Sequence, residues 1–277
     1  MLVNISEILG KAKDGHYGVP AILACNQLSV MACIDAAEET ESPLIMLCGG
    51  GQTRDIDYLG RMMTDYANKA SVPVTMILDH SPSFEDSMRG IHAGFRAIMV
   101  DRSQRPFEDN VAEVCELSRI AHAAGVEVEG ELGHVGMGDN YEHDGHNAFT
   151  VPDEAIEYVE RTKVDCLAVA IGTAHGVYKG TPELHFVLLQ ELAEKVPVPL
   201  VLHGGSGSGD ENLAKACRLG IAKVNIANDV LRASYNKLVE NGMEGNNIYG
   251  IFDLMYAGYK EKSMHLMELF GSAGKAK

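Results

Sequence analysis

Three histidines stand where apolar segments of the chain give way to polar loops. His80 closes the segment VTMILDH, His203 closes PLVLH, and His175 lies in the loop after the run CLAVAIG. Imidazole nitrogens are common metal ligands, and three of them with an open fourth position form a known catalytic zinc arrangement. If these segments are strands of one parallel sheet, the histidines converge at one edge of it. The sequence then predicts a shared metal, Zn²⁺ first, with Co²⁺ or Mn²⁺ as substitutes.

Carboxylates and one amide occupy corresponding places near the ends of neighbouring segments. Asp79 directly precedes the first of the histidines, and Asp101 ends the next apolar run. Glu129 and Glu131 lie in the run after that, and Asn225 lies in the last one. Carboxylates beside a metal serve as general acids and bases or as further ligands. Their presence favours a metal site over three separate structural histidines.

Glycine-rich loops follow two of the histidines. The stretch HGGSGSG (203–209) opens a helical segment, where successive backbone N–H groups form an anion-binding nest at the positive end of the helix. The stretch HGVYKG (175–180) adds a flexible turn and the cationic side chain of Lys179. We therefore predict one phosphate-binding site beside the metal. The alternative is that these glycines only permit tight turns.

The elements that must position these groups are eight short apolar runs, which alternate with longer segments of helical periodicity. Most of the runs are continuous rather than alternating, as strands buried on both faces are. Eight such βα units predict an α/β fold of the (β/α)8 TIM-barrel type, in which catalytic groups lie at the C-terminal ends of the strands. An open doubly wound sheet is disfavoured because the first run leads into ACNQLS and not into a glycine fingerprint. The predicted strands are Ala21–Cys25, Pro43–Cys48, Val74–His80, Arg96–Asp101, Val126–Leu132, Cys166–Gly172, Pro199–His203 and Ala222–Ala227.

Segments outside the eight units are predicted to be additional helices. Ile5–Lys13 is expected to cover the bottom of the barrel, and Ile251–Phe270 to form one or two helices beyond the last unit. No break in composition indicates a linker, so residues 1–277 are predicted to form a single domain. The irregular insertion 133–152 has the length of a functional lid or binding loop.

Composition restricts the class of protein and its partners. The 277 residues are 46% apolar and 22% charged, and no apolar run approaches the roughly 20 residues that span a bilayer. A net charge of −16 disfavours nucleic acid as a partner. The N-terminus lacks a secretory signal pattern, and the six cysteines contain no C-x-x-C pair, which indicates small buried side chains in a reducing compartment. We expect a cytoplasmic protein, with no membrane as a partner.

Five motifs together resemble those of one enzyme family. ILDHS, GELGHVG, AIGTAHGVYKG, VLHGGSG and KVNIAND, in this order and spacing, are similar to motifs of the class II (metal-dependent) fructose-bisphosphate and tagatose-bisphosphate aldolases. The likeness extends over nearly the whole chain. It implies reversible retro-aldol cleavage of a ketose or ketose phosphate to dihydroxyacetone or its phosphate and an aldehyde such as glyceraldehyde or its 3-phosphate. It also implies a monovalent cation near the phosphate loop and a homodimer or homotetramer.

The resemblance further implies roles for individual residues. Asp79 exchanges a proton with the C4 hydroxyl of the ketose, and Asn225 holds the enediolate. The implied zinc ligands are His80, His175 and His203, with Asp101 and Glu131 as supporting or auxiliary-metal carboxylates. The implied cradle for the substrate phosphate consists of Gly176, Lys179, Gly204 and Ser206.

Several departures from the family pattern concern substrate recognition. Cys48 replaces the usual serine after the second strand. Asn228 replaces the threonine that caps the phosphate, and we take Asn228 as the candidate substrate-binding residue at this position. No arginine follows Arg232, although the family usually supplies one there for the distal phosphate. Because a buried phosphate without its cation is strongly destabilised, we expect distal-phosphate recognition to be lost. The expected substrate is therefore an unphosphorylated or monophosphorylated ketose.

The predicted lid also departs from the family. The glutamate that protonates the enediolate carbon is replaced by Asp139, which has a shorter reach, and Glu142 and His143 are the alternatives. Two other functions stay open: a non-catalytic sugar-phosphate-binding or partner subunit, and a metal-dependent epimerase of the same fold. The first is disfavoured because all three candidate metal ligands are present.

Overall fold

The structure, a computed structural model, describes residues 1–136, 149–176, 178, 180, 182–242 and 244–277. Eight parallel strands close into a barrel in which each strand pairs with the next along the chain and the last pairs with the first. The predicted (β/α)8 barrel is confirmed, and each predicted run overlaps one strand. The strands are β1 (Val19–Leu23), β2 (Leu44–Gly49), β3 (Val74–Asp79), β4 (Ala97–Val100), β5 (Glu127–Leu132), β6 (Cys166–Val169), β7 (Leu200–Leu202) and β8 (Ile221–Ile226).

Helices connect the strands and flank the barrel at both ends of the chain. The extra helix at the N-terminus is α1, and the tail Ile251–Phe270 forms one helix of 20 residues, α10. The helices are α1 (Ile5–Gly15), α2 (Gln27–Glu39), α3 (Ile56–Lys69), α4 (Phe84–Ala93), α5 (Phe107–Ala123), α6 (Pro152–Thr162), α7 (Phe186–Lys195), α8 (Asp210–Arg218), α9 (Asn228–Asn241) and α10 (Ile251–Phe270). Across the described ranges, none of them combines the length and the apolar character needed to cross a bilayer.

Local sequence accounts for most of the helix starts. Ser83 accepts a hydrogen bond from the Asp86 N–H at the start of α4, as an N-cap does, and Pro152 occupies the first turn of α6. A proline at 182 does not begin the next helix, because the backbone N–H of His185 donates to the carbonyl of Ile171 and holds this stretch near the end of β6. The helix α7 therefore begins only at Phe186.

Apolar side chains fill two layers, one on each side of the strands. Alternate residues of β1 show the division, since Val19 and Ala21 point into the barrel while Ile22 packs against the surrounding helices. Ile5 and Leu9 of α1 belong to the inner layer, so this helix closes the bottom of the barrel as predicted. With the bottom filled, the C-terminal strand ends are the face left for polar chemistry.

Candidate active site

Three imidazoles meet at the C-terminal face of the barrel. His80 follows β3, His175 lies in the loop after β6, and His203 follows β7. The ring centroid of His80 lies 4.9 Å from each of the other two, which are 5.5 Å apart. One nitrogen of each ring lies within 4.8 Å of the others, which is the arrangement that a three-histidine metal site requires.

His80 has an unusual backbone. Its φ of 45° is in the left-handed region, which residues other than glycine seldom adopt and which costs free energy. The imidazole Nδ1 lies 3.4 Å from a carboxylate oxygen of Asp101. Burial lowers the pKa of His80, but the neighbouring carboxylates, first that of Asp79, outweigh burial and raise this pKa to about 9. The site thus holds strong negative charge next to this ring, as a cation site does.

His203 is fixed by a buried ion pair inside the barrel. Its Nε2 lies 2.8 Å from Oε1 of Glu129, whose Oε2 accepts a hydrogen bond from Lys223 Nζ at 2.7 Å. All three side chains are fully buried. Burial raises the pKa of Glu129, but the charges of Lys223 and His203 outweigh it and hold this pKa well below its usual range. A carboxylate on one ring nitrogen leaves the other nitrogen, Nδ1, for a metal.

Sequence reasoning did not assign a role to Lys223. A sequence signal was nevertheless present, because a lysine in the middle of the apolar strand IAKVNI needs a buried counter-charge. Which carboxylate supplies it depends on how β8 and β5 face each other across the closed barrel.

His175 is held in place through its backbone. Its N–H donates to the carbonyl of Gly136 at 2.7 Å, which ties the loop after β6 to the loop after β5. Burial, followed by repulsion from the other two imidazoles, lowers the pKa of His175 to about 3. The ring is therefore neutral at physiological pH, the form in which imidazole binds metals.

A second polar cluster adjoins His80. Ser103 Oγ lies 2.7 Å from Asp101 Oδ1, 3.1 Å from Glu131 Oε1 and 2.9 Å from His134 Nδ1, so one hydroxyl links the three side chains. Glu131 Oε2 is buried without a partner among the described residues, and burial followed by repulsion from Asp101 raises the pKa of Glu131 to about 8. A cation at His80, Asp101 and Glu131 would relieve both conditions, and their ligand atoms lie within 4.8 Å of one another.

Asp79 and Asn225 form a pair beside the histidines. Asn225 Nδ2 donates to Asp79 Oδ1 at 3.0 Å, which orients the carboxylate. Within the described ranges, the amide oxygen of Asn225 is buried without a hydrogen-bond partner. An unpartnered buried acceptor costs free energy, and Asn225 lines the cavity described below, so a ligand contact there is favoured.

A cavity of about 140 Å³ opens over these groups. Its wall includes Asp79, His80, His175, Asn225 and the predicted substrate-binding residues Gly176, Gly204, Ser206 and Asn228. Gly204 has a φ of 68°, and a Cβ there would lie 2.3 Å from the carbonyl oxygen of Ala174, so only glycine fits. The other predicted residues, Lys179, Asp139, Glu142 and His143, lie outside the described residues.

The loops of the cavity are linked by hydrogen bonds that sequence reasoning did not assign. Ser206 Oγ accepts from the backbone N–H groups of Ala227 and Asp229, at 3.2 and 3.3 Å, where α9 begins. The hydroxyl of Tyr178 accepts from the Ala174 N–H at 2.7 Å and donates to a backbone carbonyl in the loop after β7 at 2.8 Å. The two glycine-rich loops and the start of α9 thus form one connected wall.

Cys48 does not replace a substrate-binding serine in space. Its side chain is fully buried in the layer between the sheet and the helices. Burial raises the pKa of its thiol to about 12. A buried, protonated thiol facing away from the barrel interior has no route to the substrate.

Comparisons with known proteins agree with this arrangement. Residues 3–275 match the family model described as fructose-bisphosphate aldolase class-II. A fructose-bisphosphate aldolase of Thermus caldophilus is 39% identical over 100% of both chains, and one of Geobacillus stearothermophilus is 36% identical over 99% of both. The crystal structure of the YdjI aldolase from Escherichia coli K12 superposes with a TM-score of 0.90 at 36% identity and covers 100% of both chains. The chain belongs to the class II fructose-bisphosphate aldolase family, as its motifs predict.

Proposed function

We propose that this protein is a divalent-metal-dependent lyase that cleaves a ketose or ketose phosphate between C3 and C4. The observation that carries the proposal is the convergence of three imidazoles beside the Asp79–Asn225 pair at the mouth of the barrel. Family membership supports an aldolase, and the donor set supports a metal. The products are dihydroxyacetone or its phosphate and an aldehyde.

The metal ligands in this proposal are His80, His175 and His203, with Zn²⁺ as the preferred ion and Co²⁺ or Mn²⁺ as substitutes. When bound, such an ion polarises the substrate carbonyl as a Lewis acid. Glu129 orients the ring of His203 because its carboxylate accepts a hydrogen bond from the Nε2–H of that ring. Asp101 and Glu131 support His80 or hold an auxiliary cation, for which the unpartnered oxygen of Glu131 is the evidence.

Proton transfer is assigned to Asp79. Its carboxylate takes the proton of the C4 hydroxyl during cleavage and returns it during synthesis, and the Asn225 amide holds it in position. Asn225 also contacts the substrate oxygens, on which negative charge develops. After cleavage, C3 of the dihydroxyacetone fragment must take up a proton. We assign the donation of this proton to the 133–152 loop, with Asp139 as first candidate and Glu142 or His143 as alternatives.

The glycine-rich wall is proposed to bind the C1 end of the substrate. Backbone N–H groups around Gly204 and Ser206, together with Gly176 and the N-terminus of α9 at Asn228, suit a phosphate. We include Lys179 as its cation. A monovalent cation at this loop, a homodimer or homotetramer, and a cytoplasmic location are further expectations from the family.

A cleavage assay on metal-loaded protein tests the proposal. Fructose, tagatose and their 1-phosphates, 6-phosphates and 1,6-bisphosphates are compared, with EDTA-treated protein as control and bound metal measured by elemental analysis. We expect cleavage that EDTA abolishes and added Zn²⁺ restores, with a free or singly phosphorylated ketose as the best substrate. Unchanged activity after complete metal removal would refute the metal-dependent reaction. Deuterium exchange without C–C cleavage would instead indicate an epimerase.

A further inference from the structure

A second cavity of about 280 Å³ lies beside the candidate metal site. His80 lines both this cavity and the cavity of about 140 Å³ over the histidines, so the two cavities adjoin at a candidate metal ligand. Its walls come from the loops after β2 and β3 and from α4. They include Gly50, Gly51, Thr53, Arg54, Asp86 and Arg89.

Two arginines distinguish this cavity. Within the described residues, neither Arg54 nor Arg89 has an ion-pair partner. Arg161, by comparison, pairs with Glu108 and Glu157 on the outer surface. An unpaired guanidinium presents several N–H donors in a planar fork, which matches a carboxylate or a phosphate. The cavity lining therefore contains two unpaired guanidinium groups that can donate hydrogen bonds to an anion.

One carboxylate also faces this cavity, that of Asp86. Its Oδ2 accepts a hydrogen bond from Ser83 Oγ at 2.8 Å, at the N-terminus of α4. The lining thus carries two guanidinium groups against one carboxylate, in addition to His80. Gly50 and Gly51 face open space where a Cβ would be, so side chains do not fill the wall on that side. The charge and the open wall both suit an anion.

The position of the cavity relates it to the substrate. The cavity at the histidines shares Gly176, Ser206 and Asn228, which follow β6, β7 and β8, with a third cavity of about 600 Å³, whereas the arginine-lined cavity lies at the ends of β2 and β3. The order across the barrel mouth is thus the glycine-rich wall, the histidines, and then the two arginines. If the glycine-rich wall holds C1, a ketose that passes the metal site directs its distal carbons toward Arg54 and Arg89.

We propose that Arg54 and Arg89 bind an anionic group, a carboxylate or a phosphate, at the distal end of the aldehyde fragment. This inference rests on the proposed aldolase function. In this proposal, the C-terminal segment supplies no arginine for the distal group. Arg54, in the loop after β2, and Arg89, on α4, take over that role. The distal group is then recognised from the loop after β2 and from α4. The family usually recognises it from the C-terminal segment.

The test measures substrate preference in the synthesis direction. Metal-loaded wild type, Arg54→Gln, Arg89→Gln and the double variant are assayed with dihydroxyacetone phosphate and three aldehydes. The aldehydes, glyceraldehyde, glyceraldehyde 3-phosphate and tartronate semialdehyde, end in a hydroxyl, a phosphate and a carboxylate. Arg119→Gln is the matched control, because Arg119 is exposed on α5 and lines none of the three cavities.

We expect wild type to prefer one of the anionic aldehydes over glyceraldehyde in kcat/KM. Each glutamine variant should lower that preference about tenfold, the size of one hydrogen bond to a charged group, and leave the glyceraldehyde value unchanged. A preference for the carboxylate agrees with the singly phosphorylated ketose expected above. A preference for the phosphate would also support binding by the two arginines, but it would make a 1,6-bisphosphate the best ketose and would contradict the expected loss of distal-phosphate recognition. Turnover of all three aldehydes without anion preference, or a preference that the double variant retains, would overturn the proposal. No turnover of any aldehyde by the metal-loaded protein would instead refute the proposed function itself.

Discussion

Lys223 donates to Glu129 across the interior of the barrel at 2.7 Å, with both side chains fully buried. The pair joins β8 to β5, and the other oxygen of Glu129 meets His203. A charge pair at this depth is costly to desolvate, and it contributes little net stability compared with an apolar core. Its value to this protein is positional, since it sets the orientation of a candidate metal ligand.

Removal of Lys223 should therefore destabilise the protein strongly. The variant Lys223→Met leaves the Glu129 carboxylate buried without its partner, which costs about 3–5 kcal/mol of the free energy of unfolding. Denaturant titration measures this change. The double variant Lys223→Met/Glu129→Gln should recover part of the loss, and Lys195→Met, which removes an exposed ion-pairing lysine, should change little. Equal stability of Lys223→Met and wild type would contradict the role assigned to the pair.

Loss of one histidine should abolish tight metal binding. In His175→Ala the site keeps two imidazoles, and we expect the affinity for Zn²⁺ to fall by at least about 100-fold, more than loss of a supporting contact causes. Elemental analysis after dialysis against a weak chelator measures the bound metal. His92→Ala, at an exposed position on α4, is the control and should retain the metal. Full metal retention by His175→Ala would exclude this residue as a ligand.

Substitution of Asp79 should separate chemistry from binding. Asp79→Asn keeps the shape of the side chain and an oxygen for the Asn225 amide, but it cannot accept the C4 proton. We expect kcat to fall by about 10²–10⁴-fold, with metal content and KM nearly unchanged. Steady-state kinetics on the best ketose of the panel gives both constants, and the exposed Asp109→Asn on α5 serves as control. A wild-type kcat in Asp79→Asn would assign the base elsewhere.

Ser206 should matter more for a phosphorylated ketose than for a free one. Its hydroxyl accepts two backbone N–H groups at the start of α9 and faces the glycine-rich wall. In Ser206→Ala we expect kcat/KM for the ketose 1-phosphate to fall about tenfold relative to the free ketose, because phosphate oxygens lose a donor and the wall loosens. The free ketose is the internal control. A proportional loss for both substrates would indicate damage to the fold rather than lost phosphate recognition.

Thiol reactivity tests the burial of the cysteines. Burial raises the pKa of Cys48 and of Cys217 to about 12, and Cys115 is exposed on α5. Since the thiolate is the reactive form, a disulfide reagent at pH 8 should modify Cys115 rapidly in the native protein and the buried thiols only after unfolding. Cys115→Ser should remove the fast phase. A fast phase that survives in this variant would show that another thiol is accessible.

The barrel and the three histidines follow from local features of the sequence. Continuous apolar runs between helical segments predict parallel strands. This pattern involves only a few neighbouring residues, and it located all eight strands. The strand β6 is three residues shorter than expected. Parallel strands bring their C-terminal ends to one face, so the sequence alone groups His80, His175 and His203. The resemblance to the family predicts individual roles for these residues, which their spacing by itself does not specify.

Other parts of the site depend on tertiary structure, because they are contacts between residues far apart in the chain. The partner of Lys223 is 94 residues away, and the register of the closed barrel decides it. Arg54 and Arg89 belong to no common motif, and only the packing of two loops and α4 places them in one cavity beside His80. The sequence by itself determined the fold and grouped the three candidate metal ligands, since both depend on where the strands end. The tertiary structure decided which charges are paired and which are unpaired beside the candidate site, since pairing depends on distances between residues that are far apart in the sequence.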